Sequence, residues 1–433
     1  MSRQTVGCFI LVLVGLCLAA AIFYQIPPIK DRLGWRVEAL QARLRYAINP
    51  PEQAVFVPAG QPLPNLADQL PTATPTAAQT AASSLATPLP GPTETPTPTA
   101  TPIQTPTPLP AQVLLSGITH TYQSWNNCGP ANLAMALSFW GWQGDQHDIA
   151  DMLKPNTRDK NVMPYEMADF VNQQTDFSAQ VKVGGDLQTL KALVAAGLPP
   201  LIEKGFEGPG FDGWMGHYEV INGYDDLEQV FYVQDSYKGP DLKVSYETLL
   251  DQWRAFNNTY LVIYPPERAE EASAILGAQV DPTVNYQAAL QKASEETAHL
   301  TGRDLYFAWF NRGSSLVALH DYQNAAIAYD AAFANYAAIP KEQRPWRMLW
   351  YQTGPYFAYY YTGRYQDVID LADNILSISN EPVLEESYYW RGRARLALGD
   401  NEGAIADFRK SAKVHPDFQP AIEQLNALGV ETP

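Results

Sequence analysis

The chain has 433 residues, 46% of them hydrophobic, and a formal net charge of −17 at pH 7. This length allows two or three domains, each large enough to bury a sizeable hydrophobic core. An acidic excess of this size argues against nucleic-acid binding, because a nucleic-acid surface needs clustered Lys and Arg.

Residues 5–26 form an apolar run that contains two of the three cysteines. About 20 apolar residues span a bilayer, so we expect residues 1–29 to be a single-pass membrane anchor. The alternative is a cleaved signal peptide, because the alanines at 19–21 offer a cleavage site. Residues 30–70 follow as a juxtamembrane segment, with a short amphipathic helix predicted over 30–47 whose basic residues would rest on lipid headgroups.

Thr-Pro pairs dominate residues 71–110. A segment of this composition cannot bury apolar area, so it is predicted to be an extended, disordered linker. Linkers of this kind are typical of bacterial surface proteins, and we expect the folded domains to face outside the cell, held away from the membrane. The basic residues that follow the apolar run argue for the opposite orientation by the positive-inside rule.

The segment after the linker places Cys128 directly before a predicted helix. Gly129 permits a sharp turn, and Pro130 suits the first helical position because its missing N–H would be unpaired there. The free N–H groups and the dipole of a helix start favour the nucleophilic thiolate. Gln123, just upstream, can place an amide donor near the sulfur. Because the other cysteines lie in the apolar run, Cys128 has no disulfide partner in the soluble part.

Three short helices are predicted next, over 146–153, 164–174 and 187–196. His147 is expected on the surface of the first. Residues 205–216 contain five glycines and are predicted to be the mobile rim of a cleft. Trp214 and Gly216 in this rim are candidate substrate-binding residues, although Trp214 is equally well explained by local packing.

Two β-rich runs, 218–224 and 230–234, flank a turn and are predicted to form a β-hairpin. The midpoint between His217 and Asp235 is residue 226, which falls in this turn. In a symmetric hairpin the two residues would be directly opposed, with Cβ atoms about 4.5–5.5 Å apart. A bulge would shift this pairing. A final buried strand is predicted over 260–264.

These motifs together resemble the peptidase C39-like family, a branch of the papain-like cysteine peptidases, over residues 113–265: Gln123, Cys128-Gly129-Pro130, Gly216-His217-Tyr218, Gly223-Tyr224 and Asp235. The resemblance implies an α+β papain-like domain that hydrolyses peptide bonds through a Cys-His-Asp triad. Cys128 would be the nucleophile, His217 the general base and Asp235 the residue that orients it.

By the same resemblance, Gln123 would donate a hydrogen bond to the oxyanion. In papain-like enzymes this glutamine commonly lies six residues before the cysteine, and here it lies five residues before it, so Asn126 or Asn127 is an alternative donor. A metal site formed by Cys128 with the histidine and aspartate of the triad is less favoured, because no closely spaced ligand pair supports it. No metal and no cofactor is therefore expected.

Residues 281–430 are helical and repetitive. Three positions recur with successive spacings of 12 and 4 residues: Gly313, Ala325 and Tyr329, then Gly392, Ala404 and Phe408. Small and aromatic residues at fixed offsets resemble tetratricopeptide (TPR) repeats, and a degenerate unit lies between the two. Such an all-α domain implies a groove that binds a protein partner or substrate. The alternative is a scaffold that only caps the peptidase-like domain.

The predicted architecture is multi-domain: an α+β papain-like domain and an all-α repeat domain behind a transmembrane helix and a disordered linker. The predicted boundaries are 1–29, 30–70, 71–110, 111–268 and 281–430. The predicted function is that of a membrane-anchored, extracytoplasmic cysteine peptidase acting on a peptide or protein. The alternatives are a non-enzymatic cell-surface binding module and an amidase or acyl transferase that uses the same triad.

Overall fold

The computed structural model describes residues 55–59, 108–156, 158–159, 161–208, 213–378 and 382–433, with six further residues between 15 and 44. The predicted anchor, amphipathic segment and Thr/Pro linker therefore lie almost entirely outside the described residues. Residues 15, 16, 22 and 24 of the apolar run are helical. Within the described part, no helix is both long and apolar enough to cross a membrane.

A seven-stranded antiparallel sheet forms the centre of the first domain. Its strands are β1 (Gln112–Leu114), β2 (Ser178–Lys182), β3 (Leu201–Gly208), β4 (Gly213–Asp225), β5 (Val230–Asp235), β6 (Gly239–Ser245) and β7 (Tyr260–Tyr264). They are ordered β2-β7-β3-β4-β5-β6, with β1 paired to β4. The predicted β4–β5 hairpin and the final strand β7 are confirmed, whereas β1, β2 and β6 were not predicted.

Helices cover both faces of this sheet. They are α1 (Cys128–Phe139), α2 (Gln146–Leu153), α3 (Pro164–Gln174), α4 (Leu187–Ala195), α5 (Tyr246–Arg254) and α6 (Ala269–Leu276). Alternate residues of β7 point to opposite faces: Leu261 and Ile263 pack with α1–α3, and Tyr260 and Val262 pack with α4–α6. The start of α1 therefore lies against one face of a sheet that is buried on both sides.

The glycine-rich stretch predicted to be a loop is mostly strand. β3 and β4 pair continuously from Leu201↔Val220 to Gly208↔Gly213, so only residues 209–212 lie outside the described part. The glycines admit aromatic rings onto the sheet surface. A Cβ on Gly205 would lie 2.6 Å from the Trp214 ring, and one on Gly216 would lie 2.7 Å from the Phe256 ring. The prediction of a mobile rim was wrong because the glycines here provide close packing.

The second half of the chain is helical. Its helices are α7 (Pro282–Thr297), α8 (Gly302–Ala318), α9 (Tyr322–Ala338), α10 (Met348–Tyr351), α11 (Gly354–Tyr361), α12 (Tyr365–Ser377), α13 (Glu385–Ala397), α14 (Asn401–Val414) and α15 (Gln419–Ala427). In the pair α8–α9, a Cβ on Gly313 would lie 2.7 Å from the Tyr329 ring, and in α13–α14 a Cβ on Gly392 would lie 2.7 Å from the Phe408 ring. The repeated spacing thus reflects the same helix packing in both pairs.

The helical region packs directly on the first domain. Trp214 and Phe256 belong to the same hydrophobic core as Phe307 of α8. Arg347 Nη1 donates to the Trp214 carbonyl at 2.9 Å. The helical region therefore buttresses the sheet, as the scaffold alternative requires.

A short segment from the N-terminal part, residues 55–59, docks on the helical region. The Phe56 ring is 6% exposed and lies 4.9 Å from Phe333 and 6.2 Å from Tyr359, centroid to centroid. The Ala59 N–H donates to Asp367 Oδ1 at 2.7 Å. Beyond the linker, the chain is fixed again at residue 110, whose carbonyl accepts from Tyr224 Oη at 2.7 Å.

Residues 55–59, which precede the Thr/Pro segment, and residue 110 at its end therefore contact the same folded body. A segment fixed in this way cannot separate that body from a membrane. The predicted role of the linker as a stalk is wrong for this reason, and any distance from a membrane has to come from residues before 55.

Replacement of Phe56 tests this docking. Phe56→Ala should lower the free energy of unfolding of the helical region by about 3 kcal/mol, because it empties a buried aromatic site. The control is Val57→Ala, since Val57 is 73% exposed; its effect should stay within about 0.5 kcal/mol. Urea unfolding of the full-length chain measures both, and equal effects would contradict the docking.

Candidate active site

Helix α1 begins at Cys128. A Cβ on Gly129 would lie 3.3 Å from Val162 Cβ, so the glycine lets the helix start press against the loop before α3. Cys128 is partly exposed and forms no disulfide. The first N–H groups of a helix have no partner within the helix, so the backbone at Cys128 offers donors beside an accessible thiol.

His217 and Asp235 form a buried pair on neighbouring strands. His217 Nε2 lies 2.8 Å from Asp235 Oδ1, and the two residues are 3% and 0% exposed. Asp235 Oδ1 also accepts the backbone N–H groups of Tyr237 at 2.7 Å and Lys238 at 3.0 Å. This Asx-type turn after β5 fixes the carboxylate independently of the histidine.

The register of the hairpin differs from the predicted one. Val220 pairs with Gln234 and Ile221 with Val233, and a bulge follows before Gly223. Continuing this ladder places Asp235 opposite Glu219, so His217 lies two residues further along the same face. The prediction of direct opposition was therefore wrong by two residues. The contact forms along the diagonal, which long side chains can span.

The charges around His217 favour its protonated form. Burial alone would lower its pKa, but the Asp235 carboxylate, which hydrogen-bonds the ring, and the nearby Cys128 side chain raise the pKa of His217 to about 9. At Asp235 burial would raise the pKa of the carboxyl, but His217 outweighs this effect and holds that pKa well below its usual range. Because Nε2 bonds to Asp235, Nδ1 is the ring nitrogen left for the Cys128 sulfur.

Gln123 is tied to the residue that follows Asp235. Its backbone N–H donates to the Ser236 carbonyl at 2.9 Å, and its Oε1 accepts from Ser236 Oγ at 2.9 Å. Asn132 Nδ2, one turn into α1, donates to Ser236 Oγ at 2.7 Å and to the Cys128 carbonyl at 2.9 Å. Ser236 thus joins the upstream loop, the end of β5 and the start of α1.

The two alternative amide donors are engaged elsewhere. Asn126 Nδ2 donates to the Asp159 carbonyl at 3.2 Å, and Asn127 Nδ2 donates to Gln146 Oε1 at 2.8 Å. Gln123 Nε2, by contrast, makes no hydrogen bond to another described residue. This difference favours Gln123 as a donor toward a bound group.

Gln146 fixes the loop before Cys128 through side-chain hydrogen bonds. Besides Asn127, its Oε1 accepts the Ser124 N–H at 2.8 Å, and its Nε2 donates to the Tyr122 carbonyl at 2.8 Å. It is buried, while the neighbouring His147 is exposed, as predicted. Sequence reasoning missed Gln146, Asn132 and Ser236, because each acts through contacts that no local pattern signals.

A second buried pair of opposite charges lies next to the His217–Asp235 pair. Lys204 Nζ lies 2.5 Å from Glu219 Oε1 and donates to Gln252 Oε1 at 2.8 Å, and both charged side chains are 1% exposed. Burial raises the pKa of Glu219, and Lys204 opposes this rise. Charged residues facing inward from apolar strands are an unusual pattern, and that pattern is the one sequence signal that could have identified this pair.

The ligand atoms of His217, Glu219 and Asp235 lie within 4.8 Å of one another. This grouping raises the question of a metal ion. Lys204 already neutralises Glu219, and His217 already bonds Asp235. The arrangement therefore favours an ion-paired network at this position over a metal centre.

Trp214 and Gly216 lie on β4, the strand that carries His217, and both positions pack against Phe256. Trp214 is only 2% exposed and stacks on Phe256 with centroids 5.9 Å apart. This position favours the packing alternative for Trp214 over direct contact with substrate. The rings nearest to His217 are instead Phe206 at 5.2 Å and Tyr237 at 6.4 Å.

Comparison with known proteins gives two domain matches. Residues 115–262 match the model of the Peptidase_C39 like family, and residues 385–418 match the model of the tetratricopeptide repeat. No curated protein matches the chain.

Three solved structures are similar to the first domain. A C39-like protein from Bacillus anthracis is 20% identical, with 35% of this chain and 97% of that chain covered and a TM-score of 0.29. A double glycine motif protease from an AMS/PCAT transporter, solved in complex with the leader peptide, is 19% identical over 36% and 98% of the two chains, with a TM-score of 0.27. Xylellain, a cysteine protease from Xylella fastidiosa, is 16% identical over 36% and 86%, with a TM-score of 0.29.

The raised pKa of His217 predicts a dependence of stability on pH. Because the folded-state value is about 9 against an ordinary 6.5, the proton on His217 stabilises the fold fully below pH 6.5, and this contribution disappears as pH rises through 9. It amounts to roughly 3 kcal/mol. Unfolding of the full-length chain between pH 6 and 10 measures this loss. Asp235→Asn should flatten the slope, and the exposed Asp176→Asn should not; identical slopes in all three proteins would contradict the pairing.

Proposed function

Since residues 115–262 form a Peptidase_C39 like domain, we propose that the protein is a cysteine peptidase that hydrolyses peptide bonds with Cys128, His217 and Asp235. The observation that carries this proposal is the buried His217–Asp235 pair, whose imidazole is close enough to the partly exposed Cys128 thiol for the thiol to raise its pKa. A disulfide or a purely structural cysteine would not need an ionised, oriented imidazole beside it.

The reaction follows from these positions. The Cys128 proton moves to His217, and the thiolate attacks the carbonyl carbon of the substrate. Collapse of the tetrahedral intermediate breaks the C–N bond, and the imidazolium gives its proton to the departing amine. Water then attacks the thioester with His217 as the base, which releases the acid and restores the thiol. Asp235 keeps the imidazole oriented and stabilises its charge in both steps.

The oxyanion of each tetrahedral intermediate would be stabilised by the backbone N–H of Cys128 and the Nε2 amide of Gln123. Ser236 supports this role, because it binds the Gln123 carbonyl oxygen and so leaves the amide nitrogen as the free donor. Donors fixed in advance are the ones that contribute most to such stabilisation.

The substrate of this site is proposed to be a peptide or protein. The TPR region, matched over 385–418, is proposed to recruit that substrate or a separate protein partner. Tyr237, which is partly exposed beside His217, would contact the substrate chain next to the scissile bond.

The location is proposed to be the cell membrane, with the folded domains outside the cell. Support comes from the apolar run over 5–26 and from the Thr/Pro composition of residues 71–110. Labelling of intact cells with a membrane-impermeant reagent tests this placement. Protection of the folded domains from the reagent would contradict it.

Substitution of the site residues tests the reaction. Cys128→Ala should abolish cleavage, and Gln123→Ala should lower kcat on the order of 10²–10³-fold with KM nearly unchanged, because it removes a donor used in the transition state. Gln143→Ala is the matched control, since Gln143 is exposed and bonds only locally. The readout is cleavage of a peptide library by the full-length chain, followed by mass spectrometry.

Two results of this experiment would contradict the proposal. One is cleavage that persists in Cys128→Ala. The other is a wild-type chain that cleaves nothing and is not labelled by an epoxysuccinyl inhibitor of papain-like enzymes. Transfer of the acyl group to an added amine, in place of hydrolysis, would appear as a mass shift and would identify an acyl transferase.

A further inference from the structure

A second cluster of ionisable groups lies where the first domain meets the TPR unit. Asp159 comes from the loop between α2 and α3, Glu385 begins α13, and His415 follows α14. His415 Nδ1 lies 3.0 Å from Glu385 Oε1 and 3.8 Å from Asp159 Oδ2. One ligand atom from each residue lies within 4.8 Å of the other two.

One carboxylate oxygen in this cluster has no partner. Glu385 is 4% exposed, and its Oε2 is buried without a hydrogen bond from any described residue. Its main chain is fixed, because the Glu385 carbonyl accepts from Ser411 Oγ at 2.9 Å. An unsatisfied buried group costs about 1–3 kcal/mol, and more when it is charged. Among the described residues, this oxygen therefore has no positive or hydrogen-bonding partner.

The cluster also contains more acidic than basic groups. Glu166 and Glu386 act on the same carboxylates, and the positive charges of His415 and Lys154 oppose them. Burial, reinforced by Glu385, raises the pKa of Asp159 well above its usual range. Burial also raises the pKa of Glu166 to about 7. A bound cation would remove this mutual repulsion.

We propose that Asp159, Glu385 and His415 bind a divalent transition-metal ion, best fitted by Zn²⁺. One imidazole nitrogen and two carboxylate oxygens are ligands that zinc accepts, with water or Glu385 Oε2 completing four-fold coordination. Zinc bonds of 2.0–2.2 Å place tetrahedral ligands about 3.4 Å apart. The separations of 3.0 and 3.8 Å around His415 Nδ1 bracket this value, so small side-chain movements would complete the site.

The cluster is linked to the loop that precedes Cys128. Asn126 Nδ2 donates to the Asp159 carbonyl at 3.2 Å, and Lys154 Nζ donates to the carbonyls of Trp125 and Asn126 at 3.1 and 2.7 Å. Asn156 Nδ2, in the loop that carries Asp159, donates to the Val414 carbonyl at 2.9 Å. A metal here would fix the TPR unit against the loop that positions the thiol. Any effect on catalysis rests on the proposed peptidase function, whereas metal binding itself does not.

Metal content tests the proposal directly. The full-length chain carrying Cys128→Ala, which removes the thiolate as a competing ligand, is stripped with EDTA and dialysed against Zn²⁺. Mass spectrometry of the metal should find one zinc per chain, and zinc should raise the thermal unfolding midpoint because it binds only the folded state. Glu385→Gln and His415→Gln should lose the metal and the shift, whereas Glu402→Gln and His320→Gln should keep both, since Glu402 and His320 are exposed.

Glu385→Gln keeps the shape of the side chain and an acceptor for His415 while it removes a buried charge. Its metal-free unfolding midpoint should therefore equal or exceed that of the parent, which shows that it folds. No bound zinc in the parent, or zinc retained by both Glu385→Gln and His415→Gln, would overturn the proposal. Zinc that is bound as expected by a chain whose Cys128 form cleaves nothing would refute the peptidase function alone.

Discussion

Two consecutive residues at the end of β5 hold the whole candidate active site together. Asp235 fixes the His217 ring, and Ser236 binds Gln123 and, through Asn132, the first turn of α1. The base, the thiol and the amide donor come from three separate parts of the chain. Their relative positions depend on buried hydrogen bonds that converge on this one strand end, where an unmade bond is costly.

The electrostatics of the site depend on the same strand pair. Desolvation of His217 favours its neutral form, and the Asp235 carboxylate beside it reverses that preference. Lys204 and Glu219, equally buried on the adjoining strands, supply a second pair of opposite charges behind Asp235. Burying such pairs is expensive unless their geometry is good. A sheet covered on both faces provides that geometry, because its paired strands fix the spacing of the charged side chains.

The parts of this structure that local chemistry determines were predictable. Helix α3 spans Pro164–Gln174, the range that its proline start and apolar spacing predict, and the spacing of Gly313 and Tyr329 recurs at Gly392 and Phe408 because it encodes direct ring-on-glycine packing. Contacts between segments that are distant in the sequence were not predictable from local patterns. The turn is centred between residues 227 and 228, because Asp225 pairs with Val230, and this changed the expected register; the bulge near Asn222 corrects it by only one residue. The docking of Phe56 depends on Phe333, which is far away in the sequence.

The central claim is that Cys128 and His217 react as one unit, and alkylation of Cys128 by iodoacetamide across pH 5 to 10 tests it most directly. With the imidazolium beside it, the sulfur should react readily at pH 6, on the order of tenfold faster in the wild-type chain than in His217→Gln, because the thiolate is the reacting species. Superimposed rate profiles for the two proteins would show that the sulfur does not sense the ring, and would contradict the account.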